Sequence, residues 1–253
     1  MKRKMSETKI LIPRSSGGSL SAIHFITSNN LFKDSNKKAP FVIICHGFTG
    51  DKYEWGRFTK TANILNDEGF DALIFDFSGS GENQRELKLL SKQVKDLEDV
   101  YAWVKQHDYS WIAIIGLSFG ALTVLNANLS GIKTTIFWAP GFNIKRIFKN
   151  GNIELIEILK NLRKPPLKIP SSGDNEPIWL DYSFIEEILK IDINTQLRTF
   201  TTPALIVQGK ADTTVKPIYT RESFGYFPRD EHHKMIEIDK LARFRVYSTS
   251  MFF

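Results

Sequence analysis

The sequence predicts an α/β fold, a doubly wound and mostly parallel sheet with a helical insertion. Three observations carry this expectation. Short apolar runs such as Phe41–Cys45, Asp71–Phe77 and Trp111–Ile115 read as strands buried on both faces, as in parallel sheets. Segments of helical spacing stand between them, so strand and helix alternate. Glycines follow the strands, at Gly47, Gly79, Gly116 and Gly209, which puts tight loops at strand carboxyl ends, where such sheets bind ligands.

At 253 residues, 42% of them hydrophobic, the chain suffices for one α/β domain with an insertion. The net charge is +6, but Lys and Arg are scattered among acids, which fits a solvated basic surface and not a nucleic-acid partner. The single cysteine, Cys45, excludes an internal disulfide and any multi-cysteine metal site. The basic start, Met1–Lys4, leads into Ser6-Glu7-Thr8-Lys9 and not into an apolar stretch, so no signal peptide is readable. No run approaches the roughly 18 apolar residues of a membrane span. A cytoplasmic protein is the expectation.

In order, Lys9–Pro13 and Leu20–Ile26 read as antiparallel edge strands joined by a hairpin turn over Ser16–Ser19. His24, in the second, reads as structural. Asn29–Lys38 is a polar loop before the strand Phe41–Cys45, which empties into His46-Gly47-Phe48-Thr49-Gly50. Trp55–Glu68 is helical, with Gly69 as its stop. The strand Asp71–Phe77 ends in Ser78-Gly79-Ser80-Gly81-Glu82, and Ser91–Gln106 is an amphipathic helix with Val94, Leu97, Val100, Tyr101 and Val104 on one side. Trp111–Ile115 is a strand, Ala121–Leu129 a helix and Ile132–Pro140 the next strand.

The alternation then breaks. From Gly141 to about Phe200 no good buried strand is readable; Ile153–Leu159 and Phe184–Leu189 look like short helices around the Pro-rich Lys164-Pro165-Pro166. Residues 1–140 and 201–253 are therefore expected to form the core, and 141–200 a helical lid over the strands' carboxyl ends. Pro203–Gln208 resumes the sheet and leads to Asp212, a helix follows through Tyr226, and Lys234–Ile238 is the last strand.

Within this frame, Gly116-Leu117-Ser118-Phe119-Gly120 is a strand-to-helix turn of the G-x-S-x-G type. The glycines let strand and helix approach closely, and the first amides of the helix point to where an oxyanion would form. Ser118 is thus a candidate nucleophile, although the same turn also suits a serine that caps the helix.

Together with His46-Gly47-Phe48, Asp76–Gly81, Trp138-Ala139-Pro140 and Gln208–Asp212, these residues resemble the α/β-hydrolase superfamily over about residues 10 to 238. The chain is most similar to the branch of cinnamoyl and feruloyl esterases, monoacylglycerol-lipase-like enzymes and serine aminopeptidase-type hydrolases. The resemblance implies Ser118 as nucleophile, Asp212 as the acid that orients a histidine, and the backbone amides of Phe48 and Phe119 as the oxyanion hole. It implies a small-molecule acyl ester as substrate and neither cofactor nor metal. His46 and Asp76 are expected to brace their loops.

The resemblance also implies a histidine after the last strand, and none is identified. Downstream of Asp212 stand only His232 and His233, both before Lys234–Ile238. Strand geometry at about 3.3 Å per residue puts them roughly 15 Å from the carboxyl rim, beyond the reach of a general base. The sequence leaves three readings open: a serine esterase with impaired turnover, a peptidase or amidase of the same mechanism, and a degenerate hydrolase fold that binds or scaffolds. A replaced or truncated tail is one explanation of the missing base.

Overall fold

The structure is a computed structural model that describes residues 6–28, 39–146, 166–171 and 175–239. Eight strands form one sheet: β1 (Ser6–Pro13), β2 (Ser19–Ile26), β3 (Phe41–Cys45), β4 (Asp71–Phe75), β5 (Ile112–Leu117), β6 (Thr134–Trp138), β9 (Ala204–Gly209) and β10 (His233–Ile238). Their order is β1-β2-β4-β3-β5-β6-β9-β10. β1 and β2 are an antiparallel edge, β2 runs antiparallel to β4, and every pairing from β4 through β10 is parallel. The two edge strands and the parallel remainder are those expected from the sequence.

Alternation within each strand sorts the core onto two faces. Phe41, Ile43 and Cys45 of β3 join Leu73, Phe75, Ile112 and Ile114 on one face. Val42 and Ile44 join Ala72, Ile74, Ala113 and Ile115 on the other. Helix α1 (Arg57–Asp67) covers the second face with Phe58 and Ala62. Its stop is a Schellman motif: Gly69, at φ 90°, donates to the Asn66 carbonyl and Phe70 to that of Leu65. Helices α2 (Leu90–Lys105) and α3 (Phe119–Asn126) cover the first face; Leu97, Val100, Tyr101 and Val104 of α2 are buried as the spacing predicts.

Between β6 and β9 the structure departs from expectation. Two three-residue strands, β7 (Leu167–Ile169) and β8 (Ile178–Leu180), form an antiparallel hairpin, and Ile178 and Leu180 are fully buried. Three residues give no period to read, so neither strand was legible. Helix α4 (Tyr182–Lys190) contains the expected Phe184–Leu189, and a further short helix, α5 (Ile193–Arg198), follows it. The expected helix at Ile153–Leu159, the Lys164-Pro165 part of the Pro-rich loop and the polar loop Asn29–Lys38 lie outside the described residues. Helix α6 (Pro217–Phe224) precedes β10. Among the described residues no helix is long and apolar enough to cross a membrane.

Strand order reverses direction between β3 and β5: the chain runs outward to β4 on one side and to β6, β9 and β10 on the other. This is the point where a parallel sheet opens a crevice at its carboxyl rim.

Candidate active site

Ser118 stands at that crevice, the single residue between the end of β5 and the start of α3. Its backbone is at φ 52° and ψ −112°, a strained region for a residue with a side chain, costing on the order of 1–3 kcal/mol. Its surroundings hold it there. The Ser118 N–H donates to the Trp138 carbonyl (2.9 Å), and its carbonyl accepts from Ala121 (3.1 Å) and Gly141 (2.9 Å). The flanking glycines are required by space: a Cβ at Gly116 would lie 2.7 Å from the Ala121 Cα, and one at Gly120 would lie 2.5 Å from the His46 carbonyl oxygen. Ser118 itself is half-buried.

The loop after β3 comes up beside it. A Cβ built on Gly47 would be 3.6 Å from the Ser118 Cβ, so the loop's backbone passes within van der Waals reach of the serine. The next residue, Phe48, sets its ring 5.5 Å from that of Phe119 and 5.2 Å from that of Phe184 in α4. The Phe119 N–H lies in the first turn of α3, where helix geometry provides no intrahelical acceptor. Ser118, Phe48 and Phe119 are thus brought together.

His46 is a brace. Its Nε2 accepts from the Phe77 N–H (3.1 Å) and its Nδ1 donates to the Gly47 carbonyl (2.8 Å), an arrangement that fixes the neutral tautomer. Complete burial, reinforced by the nearby Lys88 charge, pushes its pKa down to about 3. Asp76 braces too: its carboxylate accepts from the Lys52 N–H (2.7 Å), the Lys52 Nζ (2.6 Å) and the Glu82 N–H (2.9 Å).

Asp212 follows β9 on the same rim and is 5% exposed. Its Oδ1 accepts from Thr214 (2.9 Å) and Val215 (3.0 Å), while its Oδ2 has no hydrogen-bond partner among the described residues. The adjacent Gln208 amide spends both hydrogens on the Gly209 and Val215 carbonyls. Burial raises the pKa of Asp212. The arrangement is that of a carboxylate with one oxygen anchored and the other buried without a hydrogen-bond partner among the described residues.

The chain's histidines number five, and all lie in described residues. His233 opens β10 opposite Ala204, whereas Ile238 at the far end faces Gly209, so His232 and His233 sit at the amino rim. His233 is held there by Asp230 at 2.8 Å. His24 lies beside Asp71, the first residue of β4, and His107 turns back to the Trp103 carbonyl beyond the end of α2. Only His46 is near Ser118, and both its nitrogens are engaged.

Two charged residues of the site went unread in the sequence. Glu54 is buried, with Oε1 accepting from the Gly47 N–H (3.2 Å) and Oε2 from Arg57 (3.0 Å); burial pushes its pKa up to about 7. Lys88, 1% exposed, donates to Ser80 Oγ at 2.9 Å. Nothing in either residue's local pattern announces burial. Among the described residues no group of three or more His, Cys, Asp or Glu could hold a metal ion.

Comparison with known proteins agrees with this architecture. Two Escherichia coli proteins, each described as an uncharacterized 31.7 kDa protein in the traX–finO intergenic region, are 31% identical over 99 residues, or 37% of this chain. The chain spans about a third (34%) of those relatives' length. Est1E from Butyrivibrio proteoclasticus, solved with ferulic acid bound, superposes with a TM-score of 0.70 at 24% identity, covering 90% of this chain and 88% of that one. A Pyrococcus furiosus esterase superposes with a TM-score of 0.67 at 18% identity, covering 93% and 83%. These likenesses show the α/β-hydrolase fold. Residues 36–190 match the family model described as serine aminopeptidase, S33. The chain therefore belongs to the serine aminopeptidase (S33) family of α/β hydrolases.

Proposed function

We propose that the protein hydrolyses a carboxylic ester through an acyl-Ser118 intermediate. The observation that carries the reading is the strained backbone of Ser118 at the sheet's crevice, where strand and helix approach too closely for a side chain at Gly116 or Gly120. In the proposal the Ser118 oxygen attacks the ester carbonyl carbon, and the carbonyl oxygen takes the displaced electron pair. The amides of Phe48 and Phe119 donate to that oxyanion, an interaction worth several kcal/mol in a preorganised site. Collapse expels the alcohol, which leaves with a proton, and water then cleaves the acyl-serine. The ferulic acid in one structural relative and the esterase description of another support an ester; the family description supports a peptide or amide bond as the variant. We read residues 141–200 as a lid on a core of 1–140 and 201–253, because α4 presents Phe184 to Phe48 and Phe119 above the crevice.

One specific observation favours a second reading. With no imidazole available to Ser118 or to Asp212 Oδ2, the serine's proton goes to water, so turnover is slow or the site only binds. Loss of a triad member leaves a residual acceleration of roughly 10³–10⁴-fold over water elsewhere. A fluorophosphonate probe separates the readings. Labelling of the wild type and not of Ser118→Ala is expected, and a folded wild type that takes no label leaves the binding or scaffold reading.

A further inference from the structure

The sheet ends at β1, and that edge is open. Natural sheets protect an edge by keeping it short, or with a bulge, a proline or charges. β1 is eight residues long, pairs one to one with β2 from Ser6↔Ile26 to Pro13↔Ser19, and carries its proline only at the last position. Ser6 to Lys9 and Leu11 are exposed, Leu11 by 69%. Among the described residues no strand lies on its outer side.

The backbone groups that face outward follow from the ladder. Opposite Leu11, Ser21 donates its N–H to the Asn83 side chain (2.8 Å) and accepts the Asp76 N–H on its carbonyl (2.9 Å), both on the side away from β1. Leu11 and Ser21 are therefore a non-hydrogen-bonded pair, and the N–H and C=O of Leu11 point to the open edge. Alternation extends this to Lys9 and Glu7, while Thr8, Ile10 and Ile12 bond to β2. The side chains of Glu7 and Lys9 share one face of the sheet, and that of Thr8 stands on the other.

This edge is complementary to itself. A second copy approaching antiparallel about Thr8 sets Glu7 opposite the partner's Lys9 and Lys9 opposite the partner's Glu7. Both pairs fall where the peptide groups face outward, so each exchanges two N–H···O bonds and also brings opposite charges together. The two Thr8 side chains meet at the axis, where their hydroxyls can bond. Neighbouring registers lose the match: centring on Glu7 or Lys9 opposes like charges, and centring on Ile10 sets Pro13, which has no N–H, against Glu7. Among the described residues Glu7 forms no ion pair, and Lys9 reaches only Glu82, at 3.9 Å and with its own side chain 72% exposed.

We propose that β1 is a homodimer interface, through which two copies pair antiparallel about Thr8 and join their sheets into one. The axis stands normal to the sheet, so the carboxyl rims of the two copies point in opposite directions. Three strands separate β1 from β5, which leads to Ser118, and the inference is independent of the ester hydrolysis proposed above.

The interface is small, and a weak, reversible dimer is expected. Sedimentation velocity of the full chain at low salt, over a series reaching several hundred micromolar, is expected to show a monomer–dimer equilibrium. Glu7→Lys turns both attractive pairs repulsive, as does Lys9→Glu, and each is expected to weaken the dimer by about tenfold or more. The double variant, Glu7→Lys with Lys9→Glu, restores the match and is expected to return to within about threefold of the wild type. Lys9→Pro removes an outward N–H and no bond to β2, so it is expected to abolish the dimer while the circular dichroism stays that of the wild type. A wild type that stays monomeric overturns the proposal. So does a dimer indifferent to Lys9→Pro, a charge reversal that the double variant does not rescue, or open-ended assembly in which β1 pairs with β10 of the next copy.

Discussion

Glu54 holds the loop on which Phe48 rides, and it does so at a thermodynamic cost that depends on pH. Its Oε1 fills the space where a side chain at Gly50 would stand, and it accepts the Gly47 N–H. Burial raises its pKa from 4.5 to about 7, ahead of the opposing effects of the Gly47 amide and Arg57. Between those two values the folded protein binds more protons than the unfolded chain, so stability is greatest at the acid end and falls as pH rises through the window. From this residue the loss between pH 5 and pH 8 is on the order of 2 kcal/mol. Glu54→Gln keeps the acceptor for Gly47 and removes the titration; urea unfolding across that range should show a flatter pH dependence than the wild type. The contrast with Ser118 explains what was legible at this scale. A G-x-S-x-G strand-to-helix turn is written in five consecutive residues, whereas the burial of Glu54 and Lys88 is decided by elements distant in sequence, and a lone charged residue in a polar stretch carries no mark of it.

Among elements, α4 carries Phe184 to the rings of Phe48 and Phe119, and its start is fixed by one side chain. Asp181 accepts from the Ser183 N–H at 2.9 Å, satisfying one of the amides that the first turn leaves open. Asp181→Ala should cost about 1 kcal/mol in denaturant unfolding. If α4 shapes the mouth of the crevice as a lid, the same substitution should raise KM for a 4-nitrophenyl ester more than it lowers kcat. The helix was readable because Phe184, Ile185 and Ile188 fall on one face. The central strands were readable because burial on both faces leaves an unbroken apolar run, as in Phe41–Cys45. β7 and β8 were not: a three-residue strand is made by its partner, and β8 is held as much by the Lys88 N–H and the Leu87–Trp179 bridge as by β7.

At the scale of the molecule, the parallel register of β9 with β10 decides which residues can meet Ser118. Ile238 faces Gly209, and the Lys210 N–H donates to the Ile238 carbonyl, so the chain leaves β10 beside the loop that carries Asp212. His232 and His233 are a full strand length away at the other rim. A histidine placed four to six residues beyond Ile238, as in Ala242→His, Arg243→His or Phe244→His, is expected to raise hydrolysis of 4-nitrophenyl acetate at least tenfold in one variant. Three folded variants no faster than the wild type would show that the missing imidazole is not what limits the rate. That Ser118 and Asp212 share the carboxyl rim was legible from element order; the strand order itself was not. The unpartnered oxygen of Asp212 was not legible, since it depends on where Gln208 spends its amide hydrogens.

The same sheet encloses Cys45, the chain's one thiol, at the end of a strand flanked on both sides and fully shielded from solvent. Burial raises its pKa far above that of a free thiol, which makes it inert in the native state. Reagents reach this sulfur only after the helical layer of α2 and α3 has lifted from its face of the sheet. The molecule therefore contains a built-in gauge of its own integrity: alkylation at this position counts openings of the core beneath those helices and ignores motions of the surface.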